Sequence, residues 1–222
     1  MIGSVIFDFD GIIVDSERLH WTAFNKVLEP LGRKISWAEY IKTFIGFDDR
    51  DTFRHAFPLR PGSGQATFGK DEVAGLIEKK AAAFQELLES DGAAALPGAV
   101  DLIKHLSGKI PLAICSGALR ADILPILGSL GIEKAFNVIV TADDTHISKP
   151  DPAPYKLAAK KLGVTGGLAI EDTQAGIASA KGAGLKVLAV TNSYPAEALT
   201  QADAIVTSLA GLTLEKLNAL LT

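Results

Sequence analysis

The chain has 222 residues, which is enough for one sizeable core and a smaller appended unit. Apolar residues make up 48% of it and charged residues 22%, and the net charge is −4. No block of Lys and Arg stands out, so we expect no nucleic-acid partner, because such binding needs a basic patch. No apolar run approaches the ~20 residues that span a bilayer, so we expect no membrane partner either.

The single cysteine, Cys115, excludes a disulfide within the chain and favours a reducing compartment. We predict that it is a small buried strand residue, as free cysteines commonly are. The first residues lack a basic region followed by a cleavable apolar stretch. They therefore predict no signal peptide and a cytoplasmic protein.

The first predicted element is a strand at residues 4–7, a short apolar run that ends at Asp8. After Ser16 the apolar residues recur at helical spacing, until Pro30 and Gly32 close the segment. Residues 58–69 are rich in Gly, Pro and Ser and are predicted to form a loop. Further helices are predicted at 37–44, 51–57 and 71–89, so that residues 16–92 form an all-helical insert.

The rest of the chain alternates between short apolar runs and helical patterns. Strands are predicted at 112–115, 138–140, 168–170, 186–190 and 204–206, and helices at 99–106, 119–130, 154–162, 175–183 and 195–199. This alternation predicts a doubly wound, Rossmann-like parallel sheet that is covered on both faces. The predicted α/β core is residues 1–15 and 93–222, with residues 16–92 as an inserted helical cap. Ligands of such sheets bind beyond the carboxyl ends of the strands.

The first strand ends in two carboxylates, Asp8 and Asp10, followed by Gly11. In an extended chain Asp8 and Asp10 share a face and repel each other, so the pair calls for a cation or a raised pKa. Mg²⁺ is suited to this position, because it binds one or two carboxylates together with substrate phosphate oxygens. A surface turn rich in Asp is the alternative.

Polar residues also follow three later strands. Ser116 and Gly117 offer a hydroxyl and an N–H group to a phosphate, or else cap a helix. Lys149 lies in a loop stiffened by prolines and either neutralises a phosphoryl group or is simply solvated. Glu171 and Asp172 add two carboxylates, which alternatively cap the helix that follows. Acids, one lysine and one hydroxyl at four strand ends are the groups that metal-assisted phosphoryl transfer requires.

The same residues resemble the four motifs of the haloacid dehalogenase-like superfamily. The matching segments are Asp8-Phe-Asp-Gly-Ile-Ile-Val-Asp15-Ser16, Ser116-Gly117, Lys149-Pro-Asp-Pro152 and Glu171-Asp-Thr-Gln-Ala-Gly176. The resemblance covers the whole chain, including the helical cap. Within the superfamily it is closest to the branch of β-phosphoglucomutase and small sugar-phosphate phosphatases.

The resemblance implies a role for each catalytic residue. Asp8 attacks phosphorus and becomes an aspartyl phosphate. Asp10 protonates the leaving oxygen and then serves as the base for the accepting water or alcohol. Lys149 balances the charge of the phosphoryl group.

The resemblance also implies how Mg²⁺ and the substrate are bound. The side chains of Asp8 and Asp172 and the backbone carbonyl of Asp10 hold the ion, with Glu171 as a further ligand or beside the ligands. Ser116 and Gly117 bind the phosphoryl group that is transferred.

Three residues of the cap are further candidates for substrate binding. Arg50 is placed to clamp a second anionic group, or is a surface arginine paired with Asp48 or Asp51. Lys80 faces the same cleft, or lies on the exposed face of its helix. His20 supports Asp10, or is a helix-surface histidine. The cap is expected to close over the core and exclude water.

The predicted function is a Mg²⁺-dependent phosphatase acting on a small phosphorylated metabolite, as a monomer or weak dimer. The alternative is a mutase of the β-phosphoglucomutase kind. That mutase carries further polar residues after the hydroxyl of the second motif, whereas this chain has Ala118 and Leu119 before Arg120. A dehalogenase and a non-catalytic binding protein are less favoured, because all the carboxylates needed for phosphoryl transfer are present. A phosphonate-cleaving enzyme would need a cap lysine that forms a Schiff base, and nothing singles out Lys70, Lys79 or Lys80 for that role.

Overall fold

The computed structural model describes residues 1–57 and 68–221. The loop predicted at residues 58–69 lies outside this description except for its last two positions. The chain separates into two compact units, which are described one at a time. Met1–Asp15 and Ala94–Thr222 form the sheet unit, and Ser16–Ala93 form the helical unit.

The sheet unit contains the strands of the described chain. They are β1 (Val5–Phe7), β2 (Val14–Asp15), β3 (Ala94–Ala95), β4 (Leu112–Cys115), β5 (Val138–Val140), β6 (Leu168–Glu171), β7 (Lys186–Val190) and β8 (Ala204–Val206). Six of them form a parallel sheet in the order β5-β4-β1-β6-β7-β8. The short strands β2 and β3 pair antiparallel outside that sheet.

Strand β1 lies at the centre of the sheet, with Val5 opposite Leu112 on β4 and Leu168 on β6. Every residue of β1, β4 and β6 is buried, so both faces of the sheet are covered. Continuous apolar runs are typical of strands buried in this way. The predicted fold class, a doubly wound parallel sheet with an inserted helical cap, is confirmed.

The helices alternate with the strands of the sheet or lie in the insert. They are α1 (Glu17–Leu28), α2 (Trp37–Glu39), α3 (Asp49–Ala56), α4 (Lys70–Asp91), α5 (Ala99–Leu106), α6 (Arg120–Ser129), α7 (Ala153–Leu162), α8 (Gln174–Gly182) and α9 (Leu214–Leu220). Within the described residues, no helix is both long enough and apolar enough to cross a membrane.

Two segments differ from the predicted helices. The predicted helix at 195–199 is a single 3₁₀ turn, Ala196–Ala198, which has no buried residue. Helix α9 was not predicted, although Thr213 caps it by accepting a hydrogen bond from the Lys216 N–H. Leu214, Leu217, Leu220 and Leu221 recur at helical spacing behind this cap, so the sequence carried a signal for the helix that the prediction overlooked.

The helical unit has an aromatic core of its own. Helix α1 packs along α4, and Phe24, Tyr40, Phe44 and Phe53 are buried in one apolar cluster. Asp48 begins α3 by accepting a hydrogen bond from the Asp51 N–H at 2.8 Å. These helices therefore bury their apolar faces against one another.

The order of the strands determines which residues meet at the end of the sheet. Strands β4, β1 and β6 are neighbours and run in the same direction, so their carboxyl ends lie side by side. The residues that follow these ends are Ser116, Asp8 and Asp172. This edge is where an open α/β sheet binds its ligand.

Candidate active site

Asp8 is fixed at the end of β1 by hydrogen bonds of the backbone. Its N–H donates to the Ile170 carbonyl on β6 at 3.0 Å, and its Oδ1 accepts from the Phe9 N–H at 2.8 Å. The residue is only 8% exposed. The apolar side chain of Phe9 is buried too, so the turn cannot expose Asp8 to bulk water without losing that burial.

Lys149 joins two of the carboxylates. Its Nζ lies 2.9 Å from Asp8 Oδ1 and 2.6 Å from Glu171 Oε1, and all three side chains are buried. Charged groups buried in this way are retained when they are paired and hydrogen-bonded. The lysine is therefore a fixed part of the cluster.

Glu171 accepts hydrogen bonds on both oxygens. Oε1 accepts from Lys149 and from the Tyr155 hydroxyl at 2.8 Å. Oε2 accepts from the Asp172 N–H and the Thr173 hydroxyl, each at 3.2 Å. These four donors hold the carboxylate in one orientation, because each donor occupies one of the lone-pair directions of the two carboxylate oxygens.

Asp172 lies against the turn that follows Asp10. A Cβ added to Gly11 would lie 2.0 Å from Asp172 Oδ2, and the φ of Gly11 is +75°, so glycine is required there. Asp8, Glu171 and Asp172 each offer an oxygen, and these oxygens lie within 4.8 Å of one another. These three acids are among the four residues, with Asp10, that the resemblance predicted to hold Mg²⁺.

The cluster contains three carboxylates and one ammonium group, because Lys149 contacts Asp8 and Glu171 and these two acids group with Asp172. Burial raises the pKa of Asp8 well above its ordinary value, and Glu171 raises it further, while Lys149 opposes the rise. Burial by itself lowers the pKa of Lys149, but Asp8 and Glu171 raise it above its ordinary value. Asp8 thus holds its proton more tightly chiefly because it is buried, and Lys149 holds its proton more tightly because two carboxylates lie beside it.

A divalent cation fits this donor set. The candidate ligand atoms are all oxygens, which is the preference of Mg²⁺, and a bound cation would offset the excess of negative charge. The side chain of Asp10 is not one of the three grouped acids. Its predicted metal role concerns its backbone carbonyl and stays a prediction.

Ser116 brings the end of β4 to the same place. Its N–H donates to the Val140 carbonyl at 3.0 Å, and its hydroxyl lies 3.4 Å from Asp10 Oδ2. The Ser116 Oγ also accepts from the Ala118 N–H at 3.0 Å, which folds the chain after Gly117 into a tight turn. The structure thus brings Ser116 and Asp10 together.

Cys115 precedes this serine and takes no part in the cluster. The residue is buried, as predicted, and burial raises the pKa of its thiol to about 12. A thiol that stays protonated at neutral pH is a poor nucleophile. Asp8 is therefore the better candidate for a covalent role.

The comparisons with known proteins agree with this geometry. The family model described as haloacid dehalogenase-like hydrolase matches residues 5–190, which is more than half of the chain. The chain belongs to the haloacid dehalogenase-like hydrolases. The family predicted from the four motifs is thereby confirmed.

Two curated relatives of this hydrolase carry phosphatase names. Validoxylamine A 7'-phosphate phosphatase of Streptomyces hygroscopicus subsp. limoneus is 30% identical over 212 residues, which cover 92% of each chain. Fructose-1-phosphate phosphatase YqaB of Escherichia coli is 32% identical over 188 residues, 84% of this chain and 95% of YqaB. The predicted enzyme class, phosphoric monoester hydrolase, agrees with both names.

The solved structure of β-phosphoglucomutase from Clostridium difficile shares the fold. It superposes with a TM-score of 0.84 at 27% identity and covers 100% of this hydrolase and 97% of the mutase. The branch predicted from the sequence, with β-phosphoglucomutase and small sugar-phosphate phosphatases, is therefore confirmed.

The predicted cap residues of the hydrolase lie in two places within the helical unit. Lys80 is 0% exposed, and its Nζ lies 3.0 Å from Asp49 Oδ1 and 2.8 Å from His20 Nδ1. Arg50 donates to Asp48 Oδ2 through Nε at 2.9 Å and through Nη2 at 2.6 Å. Lys80 is thus not on an exposed helix face, and the substrate-binding roles of His20, Arg50 and Lys80 stay predictions.

The sequence did not single out three residues that contact the cluster. Tyr155 binds Glu171, Ser193 donates to Asp172 Oδ2, and Asn192 donates to the Gly11 carbonyl at 2.7 Å. The polar run Thr191-Asn192-Ser193 directly after the apolar run of β7 was the signal available for the last two. Tyr155 carried no such signal, because one aromatic residue on a helix indicates core packing.

Proposed function

We propose that this hydrolase is a Mg²⁺-dependent phosphatase that releases phosphate from a small phosphate monoester, such as a sugar phosphate, through an aspartyl phosphate on Asp8. The observation that carries the proposal is the convergence of Asp8, Glu171 and Asp172 around Lys149 at the end of the sheet. The phosphatase relatives support the same reaction and substrate class.

Magnesium would be held by the side chains of Asp8 and Asp172 and the backbone carbonyl of Asp10, with Glu171 beside them. When bound, the ion supplies positive charge that offsets the phosphate oxygens. Lys149, which contacts Asp8, supplies a second positive charge. Ser116 and Gly117 donate to the remaining phosphoryl oxygens.

The reaction takes place in two displacements at phosphorus. Asp8 attacks phosphorus while the bond from phosphorus to the ester oxygen breaks, and Asp10 gives its proton to the departing alkoxide. A water molecule then attacks the aspartyl phosphate and loses a proton to Asp10. The bond from phosphorus to Asp8 breaks, which releases inorganic phosphate and restores both carboxyl groups.

His20, Arg50 and Lys80 remain the substrate-binding candidates of the helical unit. For Arg50 and Lys80 this role would require release from Asp48 and Asp49, because Arg50 donates to Asp48 through two nitrogens and Lys80 is fully buried beside Asp49. A cytoplasmic location and a monomer or weak dimer complete the proposal. The single cysteine favours the cytoplasm, since the chain then depends on no oxidising compartment.

A phosphosugar mutase is the second candidate, because the β-phosphoglucomutase structure is so similar. In that reaction a sugar hydroxyl replaces water as the acceptor, and a second phosphate must be held. Arg120, the first cation after the Ser116 motif, is already engaged by Asp144 at 2.6 Å and the Ile139 carbonyl at 3.0 Å. This engagement favours hydrolysis.

A panel of phosphorylated metabolites, ranked by kcat/KM for phosphate release, tests the proposal. We expect turnover of at least one sugar phosphate with Mg²⁺ and none after chelation by EDTA. Asp8→Asn should lower kcat by at least about a thousandfold, whereas Asp101→Asn, on the exposed side of α5, should leave kcat unchanged.

Two results would change the assignment. Normal turnover by Asp8→Asn would remove Asp8 from the mechanism. Conversion of β-glucose 1-phosphate into glucose 6-phosphate without release of phosphate would replace the phosphatase by the mutase.

A further inference from the structure

The segment after β7, residues 191–193, reaches back across the end of the sheet. The Thr191 N–H donates to the Val206 carbonyl at 3.0 Å, which holds the start of the segment beside β8. The next two side chains contact two separate motifs of the candidate active site. Asn192 Nδ2 donates to the Gly11 carbonyl at 2.7 Å, and Ser193 Oγ donates to Asp172 Oδ2.

These two hydrogen bonds stabilise the same contact from both sides. The Gly11 backbone and the Asp172 carboxylate already lie so close that a Cβ on Gly11 would collide with Oδ2. Ser193 holds the carboxylate of Asp172, and Asn192 holds the carbonyl of Gly11 in the turn after Asp10. A shift of residues 191–193 would therefore move both at once.

We propose that Ser193 and Asn192 are positioning residues, which orient the Asp172 carboxylate and the turn after Asp10 for binding the cation. The inference rests on the proposed function and adds a fifth strand end to the four motifs of the family. Groups that hydrogen-bond to a metal ligand commonly change metal affinity or activity by about 10–100-fold when removed. Ser193 is such a group, because its hydroxyl donates a hydrogen bond to the carboxylate of Asp172.

A merely structural role would leave metal binding unchanged, so calorimetric titration with Mg²⁺ in the absence of substrate is the deciding measurement. We expect Ser193→Ala to raise the dissociation constant for Mg²⁺ by about tenfold. Ser193→Thr keeps the hydroxyl and should restore most of the affinity. The KM for the substrate at saturating Mg²⁺ should not change in either variant.

Ser129→Ala is the matched control, because its hydroxyl bonds the Ile126 carbonyl at 2.8 Å on α6. Ser193→Ala should lower the Tm of the metal-free protein no more than Ser129→Ala does.

Asn192→Ala should lower kcat at saturating Mg²⁺ by about threefold, as expected for a turn that loses one neutral hydrogen bond. Asn218→Ala, which loses a bond from the Ile2 N–H at 2.7 Å, should leave kcat unchanged.

The outcomes separate this inference from the proposed function. If wild type binds Mg²⁺ and Ser193→Ala binds it equally well, the inference is wrong and the phosphatase is unaffected. The inference is also overturned if Ser129→Ala weakens Mg²⁺ binding to the same extent. A wild type that binds Mg²⁺ but releases phosphate from no substrate contradicts the proposed function alone, and one that binds no Mg²⁺ contradicts both.

Discussion

Each unit of the described chain buries a lysine among acidic or aromatic neighbours, and the two surroundings differ. In the sheet unit Lys149 contacts Asp8 and Glu171, with Asp172 beside them. In the helical unit Lys80 contacts Asp49 and His20, and it lies 5.1 Å from the ring centres of Phe24 and Phe84. We call these the sheet cluster and the cap cluster.

The two lysines differ in what surrounds them. Lys80 contacts the carboxylate of Asp49 and the faces of two phenylalanine rings, which also favour a cation. Lys149 contacts two carboxylates, Asp8 and Glu171, and these two acids group with Asp172. Oxygens of the three grouped acids can share a divalent cation, whereas the aromatic faces of the cap cluster offer no ligand to one.

The cap cluster should lose stability when Asp49 is replaced. Asp49→Asn removes the carboxylate that lies 3.0 Å from the buried ammonium group of Lys80, and breaking one side of a buried pair costs about 3–5 kcal/mol. We expect the free energy of unfolding in urea to fall by this amount. Thermal melting should show a matching decrease in Tm.

Asp51→Asn is the control for this prediction, because Asp51 lies on the same helix and pairs with the half-exposed Arg54 at 3.6 Å. Its loss should cost less than about 1 kcal/mol, as for other exposed pairs. Equal costs for the two variants would mean that Lys80 does not depend on Asp49. The contrast between the two clusters would then fail.

Removing an acid from the sheet cluster should have the opposite effect, because without metal it should raise the stability of the fold. The pKa of Asp8 is raised above its ordinary value of 3.8 by burial and by Glu171, so ionised Asp8 destabilises the folded state. The stability that protonated Asp8 contributes is lost as the pH rises through its folded pKa. In the absence of metal, Asp8→Asn should therefore be more stable than wild type at pH 8, by about 1 kcal/mol or more, which is about 2–4 °C in Tm.

That advantage should shrink as the pH falls toward 3.8, because Asp8 then becomes neutral in wild type as well. Mg²⁺ should raise the Tm of wild type more than that of Asp8→Asn, since the variant lacks one ligand. Asp101→Asn serves again as the control, with no change in either measurement. A lower Tm for Asp8→Asn at every pH would show that the excess charge does not destabilise the fold.

Three of the motifs that the sequence predicted are marked by a polar residue directly after an apolar strand, whereas Lys149 lies in a loop well beyond β5 and was assigned through the resemblance. Asp8, Ser116 and Asp172 were found in this way, because the end of a buried strand is recognisable from local pattern alone. The pairing of Lys80 with Asp49 was not predicted, since it depends on how α3 and α4 pack. Local spacing carries no information about which faces of two helices meet.

Tyr155 shows the same limit inside the sheet unit. Its position on α7 indicates a core residue, and its side chain is indeed fully buried. Only the packing of α7 against β1 and β4 places its hydroxyl 2.8 Å from Glu171. A residue that fills the core and also binds a charged group looks, in the sequence, like one that only fills the core.

Tyr155→Phe gives the smallest of the expected effects. The variant keeps the ring, which lies 5.1 Å from Lys149 Nζ, and loses one hydrogen bond to the oxygen of Glu171 that also accepts from Lys149. We expect a loss of about 1 kcal/mol in the free energy of unfolding. Because Lys149 is then less firmly positioned, kcat should fall about three- to tenfold at constant KM.

Tyr40→Phe is the matched variant in the helical unit, since its hydroxyl donates to Glu17 Oε2 at 2.7 Å. It removes the same kind of bond, from a phenol to a carboxylate, within the helical unit. It should cost similar stability and leave kcat unchanged. If both variants lowered kcat equally, the effect of Tyr155 would be one of general stability, because only Tyr155 shares an acceptor with Lys149.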